Sequence, residues 1–372
     1  MSDAFRFGIE EEYFLVDAET KSVAGIMPAE LLQTAAEVTG GRVYGELLQS
    51  QVEVTTAPHV SISEAQEELR YLRHTVAAVA QEYGFAILAA GTHPTAAWLS
   101  QHPTETDRYE AVMNDLQMVG QRNMLCGLHV HVELPDPDER IDIMTRMMPY
   151  LPLFVALATS SPFWQSHPTG LKGYRLAAYD ELPRTGVPEL FRTPGEYASY
   201  IGALVRAGVI QDSSYVWWAI RPSLKHPTLE LRAPDCCTRV EDSVAIAALY
   251  RSLARRLTRN PWVNWDLTAV QRAIIVENKW RAQRYGVNGT FVHEDLGAVP
   301  VAELIDQIIE DVTRDAEALG CLAEVEHCRL IAGAGTSADT QLAVFQQAQE
   351  KTENNNEALR AVANWIAEAT LQ

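Results

Sequence analysis

The sequence predicts an α+β protein organised around a mainly antiparallel sheet, one face of which carries chemistry. Three observations predict it. Short runs alternate apolar and polar residues, the period of a strand with one buried face. Stretches of helical spacing separate those runs and then fill the C-terminal part of the chain. Finally, the marks of a parallel nucleotide-binding sheet, G-x-G-x-x-G after a strand or G-x-x-x-x-G-K-[ST], are missing, as are H-E-x-x-H and G-x-S-x-G.

In order, residues 7–16 form the first strand, with Glu10 and Glu12 on one face. Pro28 opens a helix that runs to Val38 and ends at Gly40-Gly41. Residues 45–53 read as a strand pair or a bent strand with Glu46 and Glu53 as its acids. Ser63 and Gln66 have capping-box spacing, so a long amphipathic helix is expected over 63–83, closed by Gly84. Residues 85–90 are a buried strand, and His93 follows in a loop, facing either a pocket or the interior. A helix over 109–122 delivers the chain to Cys126-Gly127-Leu128-His129-Val130-His131-Val132-Glu133-Leu134, the clearest strand of all. Its alternation sets His129, His131 and Glu133 on one face and the aliphatics on the other.

A helical region over 140–160 comes next, then a Pro-, Gly- and aromatic-rich stretch from 161 to 194. An irregular run of that length is expected to be a functional loop. It holds Lys172, Arg175 and Arg184, the cations an anionic substrate needs. Helix 194–208 leads to an aromatic strand over 215–222 containing Tyr215, Trp217 and Trp218, and then to the Glu230 strand. There Glu230 and Arg232 share a face, either as a site or as a simple salt bridge. Helices follow over 240–259 and 271–285, the second bearing Asn278, Lys279, Arg281 and Arg284. From Val301 the chain is helical and acidic, with breaks at Gly333–Ser337 and Asn354–Asn356. Residues 1–300 are taken as the catalytic part and 301–372 as a helical region packed on it.

At 372 residues the chain can bury a large core, and its composition is that of an ordinary globular protein. A net charge of −19 argues against nucleic acid or an anionic membrane as partner. The apolar stretch 147–164 is broken by three prolines after Pro149 is counted with Pro152 and Pro162, which suits a buried helix and not a membrane span. Five cysteines form no secreted framework, adjacent Cys236 and Cys237 are poor disulfide partners, and Cys321, His327 and Cys328 fit no common zinc spacing. An acidic start entering a strand within a few residues leaves no signal peptide, and a cytoplasmic protein is expected.

The acids and imidazoles demand a partner. Two ionised carboxylates about 5 Å apart repel by roughly 3 kcal/mol at an effective dielectric of about 20. A cluster of three or four would hold protons or destabilise its site unless a cation sat among them. Oxygen donors with one or two imidazoles favour Mg²⁺ or Mn²⁺ over zinc. On chemistry alone, a ligase, a metal-dependent hydrolase and a non-catalytic binding protein all stay open.

Five motifs narrow this. Gly8-Ile9-Glu10-Glu11-Glu12, Glu53-x-x-Thr56-x-Pro58, Cys126 to His131, Leu229-Glu230-Leu231-Arg232-x-x-Asp235 and Asn278 to Gly286 occur in this order. Over residues 5–290 the chain resembles the YbdK-type carboxylate–amine ligases, also called glutamate–cysteine ligase type 2. The resemblance implies a glutamine-synthetase-like catalytic fold, a curved antiparallel sheet with helices on its convex face and ATP and Mg²⁺ (or Mn²⁺) on its concave one. It implies Glu10, Glu12, Glu46, Glu53, His129 and Glu230 as metal ligands, with His131 ranked behind His129. It implies Arg232 and Glu53 in catalysis, Arg232 with Arg281 and Arg284 on the nucleotide, and Arg175, with Arg184 nearby, on the amino acid. The implied reaction joins L-glutamate to L-cysteine or another amine through an acyl phosphate, in a homo-oligomer.

Overall fold

The computed structural model describes residues 5–372; the acidic N-terminal start lies outside the described residues. In chain order the first half comprises β1 (Phe7–Asp17), α1 (Ala29–Val38), β2 (Val43–Gly45), β3 (Gln51–Thr55), α2 (Ile62–Glu82), β4 (Phe85–Leu88), α3 (Asp107–Leu116), α4 (Met118–Gln121) and β5 (Leu128–Glu133). Next come α5 (Arg140–Met147), α6 (Leu151–Ala158), β6 (Phe163–Trp164), β7 (His167–Pro168), α7 (Tyr174–Tyr179), α8 (Pro194–Arg206), β8 (Ile220–Pro222) and β9 (Thr228–Leu231). The remainder is α9 (Val240–Arg259), α10 (Ala269–Tyr285), β10 (Thr290–His293), β11 (Gly297–Pro300), α11 (Val301–Leu319), α12 (Leu322–Ala334), α13 (Ser337–Gln349) and α14 (Asn355–Thr370).

The main sheet runs β2-β3-β1-β5-β9-β8, with β4 paired to the C-terminal part of β1, and its ladders are antiparallel. An α+β class with an antiparallel sheet is therefore what the chain adopts. Ile9, Tyr13, Leu128, Val130 and Val132 are fully buried. Helices α2 and α9 pack beside them on β1 and β5. The C-terminal helices join the same core: α11 and α12 pack on α9, and α14 on β4. The apolar stretch within Pro137–Ala158 is long enough to cross a membrane, but 89% of it is buried inside the protein.

One buried ion pair ties these layers together. Glu11, fully buried on the side of β1 opposite Glu10 and Glu12, accepts Arg73 Nε at 2.8 Å and Nη2 at 2.7 Å. The same guanidinium donates to Cys237 O, Thr238 O and Thr370 O. It thus binds α2 to β1, to the segment after β9 and to the end of α14.

Several local expectations need correction. The cap of α2 is Ser61, whose hydroxyl accepts Glu64 N, so the helix starts ahead of Ser63. The helix expected over 109–122 is two, broken at Gln117, which has φ of 52°. The stretch 161–194 contains the β6–β7 hairpin and α7, not loop alone. The aromatic strand begins only at Ile220; Tyr215 ends a 3₁₀ turn, and Trp218 is buried against Phe191 and Tyr200. Tertiary packing of the rings takes the place of ladder hydrogen bonds there. The β10–β11 hairpin after α10 carried no clear alternation and was not expected.

Candidate active site

Strand register assembles the site. Across the ladders Glu12 stands opposite Glu53, Glu10 opposite His129, His131 opposite Glu230, and Glu230 opposite Arg221. Directly paired residues share a face. A band of acids, imidazoles and guanidiniums therefore crosses five neighbouring strands. Glu46 joins it from the turn after β2, where its carboxylate accepts Leu47 N at 3.1 Å.

Two ligand groups emerge within this band. Donor atoms of Glu10, His129 and Glu230 lie within 4.8 Å of one another, as do those of Glu12, Glu53 and His129. His129 belongs to both. Its Nδ1 is 3.3 Å from Glu10 Oε2, and its Nε2 is 3.7 Å from Glu12 Oε1. That Nε2 is buried and has no hydrogen-bond partner. An imidazole nitrogen left without a partner among carboxylates is what a divalent ion would satisfy. Five of the six residues implied as ligands fall in these two groups, Glu46 lying outside both in its turn, and the donor set suits Mg²⁺ or Mn²⁺.

The electrostatics divide the acids in two. Burial, then Glu46 nearby, pushes the Glu12 carboxyl up to about 8, against the pull of Arg175. Glu46 is raised by burial, and Glu53 well above the usual range by burial and by Glu10, Glu46 and Glu12. Burial would raise Glu10 too, but hydrogen bonds with His129 and His131 outweigh it and hold it low. Glu230 is likewise buried, yet Arg221 and Arg232 keep it well below the usual carboxylate range.

The two histidines of β5 diverge for the same reason. Burial, with Arg232 assisting, lowers His129 to about 4 and keeps it neutral, the ligand form. Burial also opposes charge on His131, but Glu10 and Glu230 prevail and raise it. His131 Nδ1 is bonded to Thr228 Oγ1 at 2.8 Å. An imidazole held toward its cationic form must give up a proton before it can serve as a ligand.

Glu230 is engaged by two guanidiniums. Arg232 pairs with it directly, and Arg221 binds it through Nε at 2.8 Å and Nη2 at 3.2 Å. The same-face salt bridge left open by the sequence is therefore present. Arg221 was not anticipated; its signal is the β8–β9 register. Arg232 also reaches Tyr179 Oη at 3.3 Å, and its Nε is buried without a partner.

Beside the band lies a cavity of about 110 Å³. Glu12, Glu46, Arg175 and Arg232 reach it from the sheet side, and Arg108 and Tyr109 from α3. Arg175 is buried in α7, bonded through Nη1 to Pro234 O at 3.0 Å, and its Nε has no partner. The approach depends on Gly127: a Cβ there would stand 2.2 Å from Arg175 Nη2. Asp235 fixes the same region by accepting Ser160 N and Ser161 Oγ.

The other candidate cations lie outside the cavity wall. Arg184 donates to Tyr215 O and sits 5.4 Å over Trp217, which does line the cavity. Arg281 is spent on Thr290, and Arg284 lies 5.0 Å over Tyr285 on the exposed side of α10. His93 is an interior residue bonded to Lys21 O, and His327 faces Asp242 Oδ1 at 2.9 Å.

Residues 6–361 match the family model described as glutamate–cysteine ligase family 2. A protein from Bradyrhizobium diazoefficiens, provisionally named glutamate–cysteine ligase 2, is 56% identical over 367 residues, covering 99% of this chain and 84% of its own. One of the same provisional name from Rhodospirillum rubrum is 44% identical, covering 99% and 96%. Among solved structures, the glutamate–cysteine ligase of Francisella tularensis in complex with AMP aligns with a TM-score of 0.72 at 13% identity, covering 99% of this chain and 89% of that chain. The bifunctional glutathione synthetase of Pasteurella multocida aligns at 0.69 and 15% identity; this chain spans 53% of its length. At such identities these two likenesses speak for the fold.

Proposed function

The chain belongs to glutamate–cysteine ligase family 2 and is an ATP-dependent carboxylate–amine ligase, and we propose that it joins the side-chain carboxylate of L-glutamate to an amine on the sheet face described above. The observation that carries this reading is the unpartnered, neutral His129 Nε2 standing among acids beside a cavity that holds Arg175 and Arg232.

An amide does not form from a carboxylate and an amine without activation. In the first step a carboxylate oxygen bonds to the γ-phosphorus of ATP and ADP leaves, giving an acyl phosphate. In the second the neutral amine bonds to the acyl carbon, inorganic phosphate departs, and the nitrogen gives up a proton. Glu10, Glu12, Glu46, Glu53, His129 and Glu230 would hold Mg²⁺ or Mn²⁺, which when bound neutralise triphosphate charge and align the reacting oxygen with phosphorus. Arg232, with a free Nε, is suited to stabilise charge on the phosphoryl oxygens in transit. Arg175, also with a free Nε, is suited to a substrate carboxylate. Glu53, raised by burial and then by its acidic neighbours, would give up a proton when a cation enters.

Residues 301–372 act as part of the same unit in this reading, since Arg73 ties Thr370 of α14 to Glu11 of β1. Exposed Trp262, Trp265 and Trp280 support a homo-oligomer, which light scattering would test. Five unpaired cysteines suit a reducing compartment. The deciding experiment is ADP and phosphate release with Mg²⁺, ATP and L-glutamate over a panel of amines, with product masses recorded. Amine-dependent release with a glutamyl adduct is expected. Release that ignores glutamate, or none with any amine, would refute the reading.

A further inference from the structure

We infer that Arg221 is a positioning residue that works through Arg232: by taking up the Glu230 carboxylate, it leaves the Arg232 guanidinium free to meet a phosphoryl group. The inference rests on the ligase reading, in which Arg232 acts on the phosphoryl oxygens in transit. The β8–β9 register sets Arg221 directly across from Glu230, so the two side chains share a face. Arg232 lines the cavity and Arg221 does not, so any effect of Arg221 on a substrate held there passes through its partners.

The two oxygens of Glu230 are shared unequally. Oε1 accepts Arg232 Nη1 and, at 3.2 Å, Arg221 Nη2. Oε2 accepts Arg221 Nε at 2.8 Å and has no other donor among the described residues. A guanidinium left alone with a carboxylate tends to grip both oxygens. Because Arg221 holds the second one, Arg232 is limited to the first and keeps its buried Nε unpartnered. One carboxylate between two guanidiniums also leaves a surplus positive charge, and Arg232 is the member that brings it to the cavity. Three of the carboxylate's roughly four lone-pair sites are used, which leaves one for a cation.

Arg221 is itself braced from behind. Its Nη1 donates to Ser214 O at 3.1 Å and to Val216 O at 3.0 Å. Tyr215 O, between them, accepts Arg184 Nε at 2.9 Å, and Ser214 Oγ accepts Arg108 Nη1 at 3.0 Å. These carbonyls lie ahead of β8, where no ladder satisfies them, and the two guanidiniums do so instead. Without Arg221, Oε2 would stand bare in a buried site, and Arg232 would turn to take both oxygens.

The test is a double-mutant cycle. Arg221→Gln, Arg232→Ala and the double variant are compared by initial-rate ADP release with Mg²⁺, ATP, L-glutamate and an accepted amine, each with its melting temperature. Arg221→Gln alone should lower kcat about 10- to 100-fold, the usual loss when a partner behind a reacting group is removed. In the Arg232→Ala background the same change should cost less than about threefold, because the residue it works through is gone. A salt bridge that serves folding alone lowers both backgrounds equally. Equal losses, or a loss under about threefold in the parent, would overturn the inference while leaving the ligase reading intact. If Arg232→Ala is as fast as the parent, the inference falls with the role read for Arg232. Should Arg221→Gln not fold, Arg221→Lys takes its place in the cycle under the same criterion of unequal losses. If no amine supports turnover, the ligase reading fails, and the cycle is read from calorimetric titration of AMP-PNP with Mg²⁺. Weakening by Arg221→Gln that disappears in the Arg232→Ala background sustains the inference; equal weakening, or none, overturns it.

Discussion

Binding of Mg²⁺ to the nucleotide-free protein should depend steeply on pH, and the structure sets the size of the effect. Glu12 is pushed up to about 8, so at neutral pH most molecules hold a proton where a cation requires a charged oxygen. A cation binds only the ionised form and must displace that proton. One such group tightens the apparent affinity roughly 90-fold between pH 6 and pH 9, ~3 kcal/mol. Glu53, also raised, steepens the rise further. Glu10 and Glu230 are held low and are charged throughout, while His129, lowered to about 4, is already neutral. None of these three adds slope in that window. Isothermal titration of Mg²⁺ or Mn²⁺ in buffers of different ionisation enthalpy would give both affinity and protons released. Glu12→Gln should bind more weakly with a flatter profile. A wild-type affinity that does not change from pH 6 to pH 9 would refute the reasoning.

Other outcomes follow from the same residues. Because Glu12 keeps its proton to about 8 when folded but only to the ordinary carboxylate value when unfolded, the metal-free protein should lose stability as pH rises between those values, with Mg²⁺ restoring it; melting temperatures with and without EDTA would show this. Arg73→Ala leaves Glu11 charged and buried, and should cost about 3–5 kcal/mol in denaturant unfolding, whereas the surface substitution Arg284→Ala should change stability by less than about 0.5 kcal/mol. Gly127→Ala drives a methyl into Arg175 and should raise KM for glutamate by about tenfold or more, read as a KM-against-kcat split. Arg232→Ala should lower kcat by about 100- to 1,000-fold, the usual loss when one donor to a developing charge is removed.

Much of the site was legible because a strand's period of two is a strong code. Once residues 7–16 and 128–133 read as strands, Glu10, Glu12, His129 and His131 had to share faces within their own strands. Glu46 was legible as an acid near the site but not as a turn residue, since Gly45 ends β2 and the chain must bend before β3. Arg184, Arg281 and Arg284 were read from charge and motif. Charge does not state direction, and packing turned Arg281 to Thr290 and set Arg184 over Trp217. Glu11 and Arg73 escaped notice although the middle acid of Glu10-Glu11-Glu12 must point into the apolar face, where only a buried cation could accompany it.

By itself, then, the sequence determined the class of fold, the strand faces and the family, because periodicity and ordered motifs are local properties. Only the tertiary structure decided which faces met. Register between β1, β3, β5 and β9, segments as much as about 220 residues apart in the chain, is set by how the apolar faces pack on α2 and α9. The opposite protonation of His129 and His131, the hold of Arg221 on Glu230 and the cavity beside the band all arise from those long-range contacts, which no short stretch of residues encodes.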